Sequence, residues 1–189
     1  MSKGLSGLPS GGLFWTIALG GAGFDLATKA FAFARIGDPA LRRVVVVVPN
    51  MLELQTSFNP GALWGLGRTL PHSSLIFAAL SVVAALAICY WLFVKGAAAD
   101  RRLTIALGLI MAGALGNCYD RLMLGHVRDF VHFHLDPIRF DCAIFNFADN
   151  MLVAGALFLM FLALRPETGG PIANDTRPAP APAEPVRSA

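Results

Sequence analysis

Two aspartates near the ends of apolar segments are the first candidates for chemistry in this sequence. Asp129 lies in a Val-Arg-Asp-Phe run that follows one apolar segment, and Asp149 lies in Phe-Asn-Phe-Ala-Asp at the start of the next. Two carboxyl groups at one site cannot both ionise cheaply, so one of them keeps a proton. The ionised group can then activate a water molecule while the protonated group donates to a scissile carbonyl. This pair therefore favours aspartyl hydrolase chemistry.

Other acidic residues could complete such a pair, and the residues alone leave the choice open. Asp25, Asp136 and Asp141 are also predicted on or near the same side of the protein. Asp120 is followed directly by Arg121. We expect these two neighbours to form an ion pair that keeps Asp120 ionised and structural.

A stripe of small and polar residues lies in the apolar segment before Asp129. The stripe consists of Gly113, Asn117, Asp120 and Arg121. Spacings of four, seven and eight residues from the first member place all four on one face of a helix. An ionisable side chain inside an apolar span costs roughly 2.5–3.5 kcal/mol, so this face should contact protein or water instead of lipid.

An earlier apolar segment carries a second pair of charges. Asp25 and Lys29 are four residues apart, which places them on one helical face where they can form an ion pair. Mutual neutralisation inside the membrane explains this pair as well as a functional role does.

Three histidines lie close together just after the stripe. His126, His132 and His134 include an H-x-H motif near an aspartate, and such a set can bind zinc. Because no H-E-x-x-H motif is present, we predict no metal site. We interpret His132 and His134 as interfacial residues that share one side of an extended segment.

The composition indicates a membrane protein. Hydrophobic residues make up 56% of the 189-residue chain and charged residues only 14%, whereas soluble domains carry about 25% charged residues. The net charge of +3 comes from basic residues at segment ends, so no surface for nucleic acid is predicted.

The elements that must position these residues are predicted to be mainly helical. A bilayer core about 30 Å thick needs roughly 20 apolar residues per helix. Four transmembrane helices are predicted at residues 13–36, 73–94, 103–124 and 147–164, forming one domain at residues 1–164. In the outward region at residues 37–72, the five valines of residues 44–48 and the segment 52–58 should pair as a small β-sheet. Residues 165–189 are rich in proline and predict a disordered cytoplasmic tail.

The basic residues predict the orientation of the helices. The short connection at residues 95–102 contains three lysines or arginines, which favours the cytoplasmic side. Both termini would then be cytoplasmic, and the two aspartates would lie near the opposite face of the membrane.

Five motifs in this order resemble the lipoprotein signal peptidase family, also called signal peptidase II. They are Asp-Leu-Ala-Thr-Lys at Asp25, Asn-Pro-Gly at Asn59, Gly-Asn-Cys-Tyr-Asp-Arg ending at Arg121, Val-Arg-Asp-Phe around Asp129, and Phe-Asn-Phe-Ala-Asp ending at Asp149. Each motif alone is weak, but the set covers residues 25–164.

The resemblance implies a bacterial inner-membrane enzyme with its active site near the periplasmic face. Such an enzyme removes the signal peptide from diacylglyceryl-modified prolipoproteins, cutting just before the lipidated cysteine. The resemblance also implies contact with membrane phospholipid, and it implies neither a metal nor an organic cofactor. We further expect a monomer.

The resemblance also implies roles for matching residues. Asp129 and Asp149 would be the catalytic pair, and Asp25 with Lys29 a structural pair. The residues that would bind substrate or support the site are Asn59, Gly113, Asn117, Asp120, Arg121, Asn146 and Ala148. The amides of Asn117 and Asn146 could donate to the substrate backbone or to an oxyanion. Arg128 departs from the family pattern, and on an extended segment we expect it to point away from Asp129 toward lipid phosphate.

Two other functions fit the same residues. A small membrane carrier could use the charges of the first and third spans as a proton relay. A catalytically silent membrane scaffold could keep the same fold. Proton flux in proteoliposomes and peptide cleavage in detergent would separate these possibilities.

Overall fold

Four helices dominate the computed structural model, which describes residues 10–61, 67 and 69–165. The helices are α1 (Ser10–Ile36), α2 (Ser73–Cys89), α3 (Arg101–Leu124) and α4 (Phe147–Ala163). Helix α2 continues as a π-helical segment, Tyr90–Val94. The predicted proline-rich tail lies outside the described residues, apart from its first residue.

Three of these helices are long and apolar enough to cross a membrane, namely α1, α2 with its π-helical extension, and α3. Helix α4 is apolar but has only 17 residues, which is about 25 Å of helix at 1.5 Å per residue. The prediction of a fourth span therefore stays a prediction for α4.

Helix α3 lies at the centre of the bundle and packs against all three other helices. Glycines on α3 permit this close approach. Gly113 faces the Ala148 carbonyl oxygen and the Leu152 side chain of α4, and Gly116 faces the Asp25 carboxylate of α1. A side chain at either glycine would push a neighbouring helix away.

A four-stranded antiparallel sheet covers one end of the bundle. Its strands are β1 (Val44–Val48), β2 (Leu52–Asn59), β3 (Val127–Leu135) and β4 (Phe140–Asp141), in that spatial order. The predicted β1–β2 pairing is present. The sheet is larger than predicted, however, because half of its strands come from the connection between α3 and α4. Strand β3 supplies the hydrogen-bond partners that the inner edge of β2 requires.

Two apolar clusters hold the bundle at its ends. One contains Phe14, Leu92 and Met111 near the 95–102 connection, and the other contains Ala32, Ile36 and Phe130 beneath the sheet. A layer of buried polar residues lies between them, since Asp25 and Asn117 fall between these clusters along α1 and α3.

Candidate active site

The two predicted aspartates lie on adjoining elements, Asp129 on β3 and Asp149 in the first turn of α4. The residue that joins them is Asn146, the N-cap of α4. Its side-chain oxygen accepts a hydrogen bond from the Asp149 N–H at 3.0 Å, and its own N–H donates to Asp149 Oδ2 at 3.2 Å. This reciprocal arrangement is a capping box, and it fixes the Asp149 carboxylate against the helix terminus.

The Asn146 side-chain amide also reaches the second aspartate. It donates to Asp129 Oδ1 at 2.6 Å and to Asn117 Oδ1 at 3.2 Å. One asparagine therefore contacts both carboxylates, through its main-chain N–H on one side and its side chain on the other. In this conformation the amide donors of Asn146 are engaged within the protein and hold the two carboxylates in position.

Two further asparagines complete the contacts of the pair. Asn117 donates to Asp149 Oδ1 at 2.8 Å, and Asn59 donates to Asp129 Oδ2 at 3.1 Å. Each of the four carboxylate oxygens thus accepts a hydrogen bond from an uncharged N–H group. Among the described residues, neither Asp129 nor Asp149 forms an ion pair with lysine or arginine. The hydrogen bonds therefore hold the two carboxylates in position, and no lysine or arginine among the described residues neutralises their charge.

This environment changes the acidity of Asp129. The side chain is almost completely buried. Burial raises the pKa of Asp129 from 3.8 to about 7, and the charge of Asp149 adds to this increase, while the hydrogen bonds from Asn146 and Asn59 oppose it. Asp129 is therefore able to hold a proton near neutral pH.

The ion pair expected between Asp120 and Arg121 is not formed. Asp120 instead pairs with Arg128 at 2.7 Å and with Lys29 at 3.3 Å. Arg121 donates to the Gly61 carbonyl oxygen at 2.9 Å. Neighbours on a helix point about 100° apart, which separates Arg121 from Asp120.

The position of Arg128 also differs from the expectation. It turns away from Asp129, as predicted, but it reaches the buried Asp120 and not a lipid phosphate. The main-chain N–H of Arg128 donates to the same carboxylate at 3.1 Å. The charge of Arg128 is consequently balanced without involving the aspartate pair.

The predicted contact between Asp25 and Lys29 is present at 2.7 Å, with both side chains completely buried. Asp25 also accepts a hydrogen bond from the Ala148 N–H at 2.8 Å, and Lys29 donates to Asn117 at 2.9 Å. These contacts link α1 to the start of α4 and to the middle of α3.

The cluster as a whole has a simple charge balance. Its carboxyl groups are Asp25, Asp120, Asp129 and Asp149, and its cations are Lys29, Arg121 and Arg128. Four acids and three bases leave one excess negative charge if every group is ionised. One proton shared by Asp129 and Asp149 makes the cluster neutral.

Two cavities reach Asp149 from different directions. A cavity of about 300 Å³ lies between the sheet and the start of α4, with Asn59, Phe133 and Phe145 in its wall. A second, of about 330 Å³, lies among α2, α3 and α4, and its wall includes Leu80 and Asn117. Both walls are mostly apolar, and Asp149 is the carboxylate they share.

Some residues of the site were missed by sequence reasoning. Ser73 donates to the Pro60 carbonyl oxygen at 2.9 Å and so holds the segment that carries Asn59. Local sequence gives no signal for this contact, because it joins the first turn of α2 to a carbonyl group 13 residues earlier in the chain. Phe145 accepts hydrogen bonds from the N–H groups of Phe130 and Val131 at 3.0 and 2.9 Å, and nothing in the sequence indicated this pairing.

Comparisons with known proteins agree with this architecture. The family model described as Signal peptidase (SPase) II matches residues 17–165. A lipoprotein signal peptidase of Rhodopirellula baltica is 36% identical over 159 residues, which is 78% of this chain and 70% of the relative. One of Pseudomonas aeruginosa is 33% identical, with 79% of this chain and 86% of the relative covered. A third, from Desulfitobacterium hafniense, is 39% identical, with coverages of 68% and 79%.

Two solved structures also match, both described as a bacterial membrane enzyme studied by the in meso method. One has a TM-score of 0.70 at 30% identity, covering 81% of this chain and 88% of the solved one. The other has a TM-score of 0.70 at 29% identity, with coverages of 82% and 94%.

Proposed function

This chain belongs to the signal peptidase II family, and on that premise we propose that Asp129 and Asp149 are the catalytic pair with which it cleaves its substrates. The chain is a protease that removes signal peptides from prolipoproteins. The aspartic mechanism is our proposal.

One observation carries it: two neighbouring carboxyl groups are held by uncharged donors on Asn146, Asn117 and Asn59, and the described residues place no cation on either group. A carboxylate held by an ion pair would be a poor proton carrier. A pair that shares one proton can serve as acid and base together.

The proposed reaction uses water as the nucleophile. Asp129, with a pKa of about 7, holds the shared proton and gives it to the oxygen of the scissile carbonyl. Asp149 takes a proton from the water molecule, whose oxygen bonds to the carbonyl carbon. The tetrahedral intermediate then collapses: one of its hydroxyl groups returns a proton to Asp129, the C–N bond breaks, and the leaving amine receives the proton held by Asp149. No metal or organic cofactor is required for these steps.

The substrate proposed is a prolipoprotein with a diacylglyceryl group on its lipobox cysteine, cut just before that cysteine. The two mostly apolar cavities that meet at Asp149 support this assignment. A signal-peptide helix and acyl chains need apolar surfaces on both sides of the scissile bond, and the groove among α2, α3 and α4 would admit them sideways from the bilayer.

The remaining residues of the site would position the pair. We assign Asp25 and Lys29 to a structural pair. The supporting set consists of Asn59, Gly113, Asn117, Asp120, Arg121, Asn146 and Ala148.

We also propose a placement in the bacterial inner membrane. Helix α4 would be the fourth span, with both termini cytoplasmic, and the sheet would lie with the active site near the periplasmic face. The basic 95–102 connection lies at the opposite end of the bundle from the sheet, which supports this orientation. We expect a monomer that contacts phospholipid.

The experiment that tests the proposed substrate compares two forms of one prolipoprotein, with and without the diacylglyceryl group, incubated with the purified protein in detergent. Cleavage of the lipid-modified form, at least about 10-fold faster than of the unmodified form, is expected. Equal cleavage of both forms would contradict the substrate assignment. Absence of cleavage in detergent, together with proton flux through the same protein in proteoliposomes, would support the carrier function instead.

A further inference from the structure

A cluster of possible metal ligands lies on the sheet, separate from the aspartate pair. Glu53, His132 and His134 each offer one ligand atom, and these atoms all lie within 4.8 Å of one another. Glu53 on β2 is the direct register partner of His132 on β3, and His134 follows two residues later on the same face. Glu53 is the member that inspection of the histidines alone did not reveal.

A neighbouring carboxylate fixes the orientation of one histidine. The Nε2 atom of His132 lies 2.7 Å from Asp141 Oδ1. If Nε2 carries the proton and donates it to Asp141, then Nδ1 presents a lone pair to the cluster. A carboxylate that accepts from the far nitrogen of a histidine is the usual second contact of a metal-bound histidine.

One ring nitrogen of each histidine lacks a hydrogen-bond partner among the described residues. His132 Nδ1 and His134 Nε2 are both buried and, among the described residues, have no hydrogen-bond partner. A buried polar atom without a partner destabilises the folded protein, and this is a free-energy cost. A cation bound between these atoms would remove this cost.

The spacing fits a small cation. His132 Nδ1 lies 3.6 Å from Glu53 Oε2, slightly too far for a hydrogen bond. Two ligand atoms that are each about 2.0–2.1 Å from a tetrahedral zinc ion lie roughly 3.3–3.4 Å apart. All three ligand atoms lie within 4.8 Å of one another, so the side chains would move closer together on binding zinc.

We propose that Glu53, His132 and His134 form a zinc site, with Asp141 orienting His132. Two imidazoles and one carboxylate form a ligand set that binds zinc in preference to magnesium or calcium. The fourth position is left for water.

The site would stabilise the sheet and would not take part in peptide cleavage. Side chains alternate along β3, so His132 and His134 lie on the opposite face from Asp129 and Phe133. Phe133 lines the cavity that reaches Asp149. Zinc would therefore bind behind the catalytic face and join β2, β3 and, through Asp141, β4.

A different interpretation makes no use of a metal. A protonated His132 could bridge the carboxylates of Glu53 and Asp141. That interpretation explains His132, but it leaves the buried His134 Nε2 without a hydrogen-bond partner in the described part of the chain. It also predicts that zinc has no effect on the protein.

The test is a zinc titration of the full-length protein in detergent. The protein is purified with a histidine-free tag, stripped of metal with EDTA and then freed of EDTA before the titration. Isothermal titration calorimetry should show one zinc per chain. The melting temperature should rise by about 5 °C at a free zinc concentration 100-fold above Kd. Glu53→Gln and His134→Ala should each abolish saturable binding, and Asp141→Asn should weaken it about 10-fold.

Two matched variants exclude other zinc ligands. His72→Asn removes an exposed histidine at a left-handed position that asparagine tolerates, and Cys142→Ser removes the free cysteine next to β4. Both should bind zinc as the wild type does. Absence of 1:1 binding, or unchanged binding by Glu53→Gln and His134→Ala with a normal melting temperature, would overturn the proposal.

Discussion

Asn146 illustrates how much of this site depends on single side chains. The residue caps α4 and contacts both carboxylates. Capping is worth about 1 kcal/mol of stability. Orientation of the catalytic groups has a far larger effect on rate, because small displacements of reacting groups cost orders of magnitude. The two roles can be separated by choosing a replacement that keeps only the cap.

Asn146→Ser should provide that separation. Serine is a good N-cap, so the melting temperature should change little, but its short side chain cannot reach Asp129. We expect kcat to fall about 100-fold. Asn146→Ala should lose the cap as well and melt at a lower temperature. Steady-state cleavage rates and thermal melting of both variants check this, and wild-type kcat in Asn146→Ser would contradict the bridging role.

The pKa of Asp129 predicts the pH dependence of cleavage. The reaction needs one proton on the pair, and Asp129 loses its proton as the pH rises through about 7. The rate constant kcat should therefore fall about 10-fold per pH unit above this value. A rate that keeps rising to pH 9 would contradict the proposed role of Asp129.

The titration of Asp129 would not cause unfolding that explains the fall in kcat above pH 7. Because the pKa of Asp129 is raised in the folded protein, the folded state binds more protons than the unfolded state between pH 3.8 and about pH 7. The contribution of Asp129 to stability therefore decreases with rising pH across that window and is constant above it. Melting temperatures measured along the rate profile serve as the control.

The ion pair between Arg128 and Asp120 should matter for stability. Arg128→Gln leaves the buried Asp120 with Lys29 as its charged partner. Removing one partner of a buried pair costs about 3–5 kcal/mol, and the partial exposure of Arg128 places the expected loss at the lower end of that range. Arg35→Gln, at an exposed arginine of α1, is the control and should melt normally. Equal melting temperatures for both variants would contradict this assignment.

The sequence identified these residues better than it identified their partners. Asp25 and Lys29 were paired correctly because i, i+4 spacing on a helix determines the contact. Asp120 was given the wrong partner, since Arg128 reaches it only after Gly125 ends α3 with a φ of 78° and turns the chain into β3. Such a contact depends on the turn between two elements, and local spacing carries no information about it.

At the scale of elements, the glycine face of α3 determines how closely α4 can approach. Gly113 lies against the Ala148 carbonyl, one residue before Asp149. Any displacement of α4 at this point moves Asp149 relative to Asp129, which is fixed on β3. The active site therefore depends on the absence of a single side chain on the central helix.

Gly113→Ala should therefore reduce activity although alanine favours helices. Its methyl group would collide with the Ala148 carbonyl oxygen and the Leu152 side chain. We expect overpacking of about 1–3 kcal/mol and a loss of cleavage of at least 10-fold. Gly20→Ala, where nothing lies within 4 Å of the added group, should keep full activity and equal or greater stability. Similar behaviour of the two variants in cleavage and melting assays would contradict this account of the α3–α4 contact.

The helices and the β1–β2 hairpin could be predicted from apolar length and β-branched residues. An extended segment was expected at His132 and His134, but its full length as strand β3 was not. Its pairing with β2 is a long-range contact between two separate connections of the bundle. Helix α4 has the composition of a transmembrane helix, but its 17 residues are fewer than such a helix usually has.

At the scale of the whole molecule, the fold places a buried polar layer between two apolar clusters and closes one end with a sheet. The helices supply Asp25, Lys29, Asn117 and Asp149, while the sheet supplies Asn59 and Asp129. Neither part contains a complete site. Activity should therefore require the sheet to remain docked on the bundle, and the proposed zinc site would strengthen that sheet from its far face.

The most direct test of the catalytic pair is a gel-shift assay on a diacylglyceryl-modified prolipoprotein with EDTA present throughout. It compares wild type, Asp129→Asn, Asp149→Asn and the exposed control Asp38→Asn, each shown to be folded by thermal melting. We expect cleavage by wild type and Asp38→Asn, and a loss of about 10²–10⁴-fold or more in the other two variants. Cleavage by a folded Asp129→Asn or Asp149→Asn variant at more than a tenth of the wild-type rate would contradict the assignment of the pair.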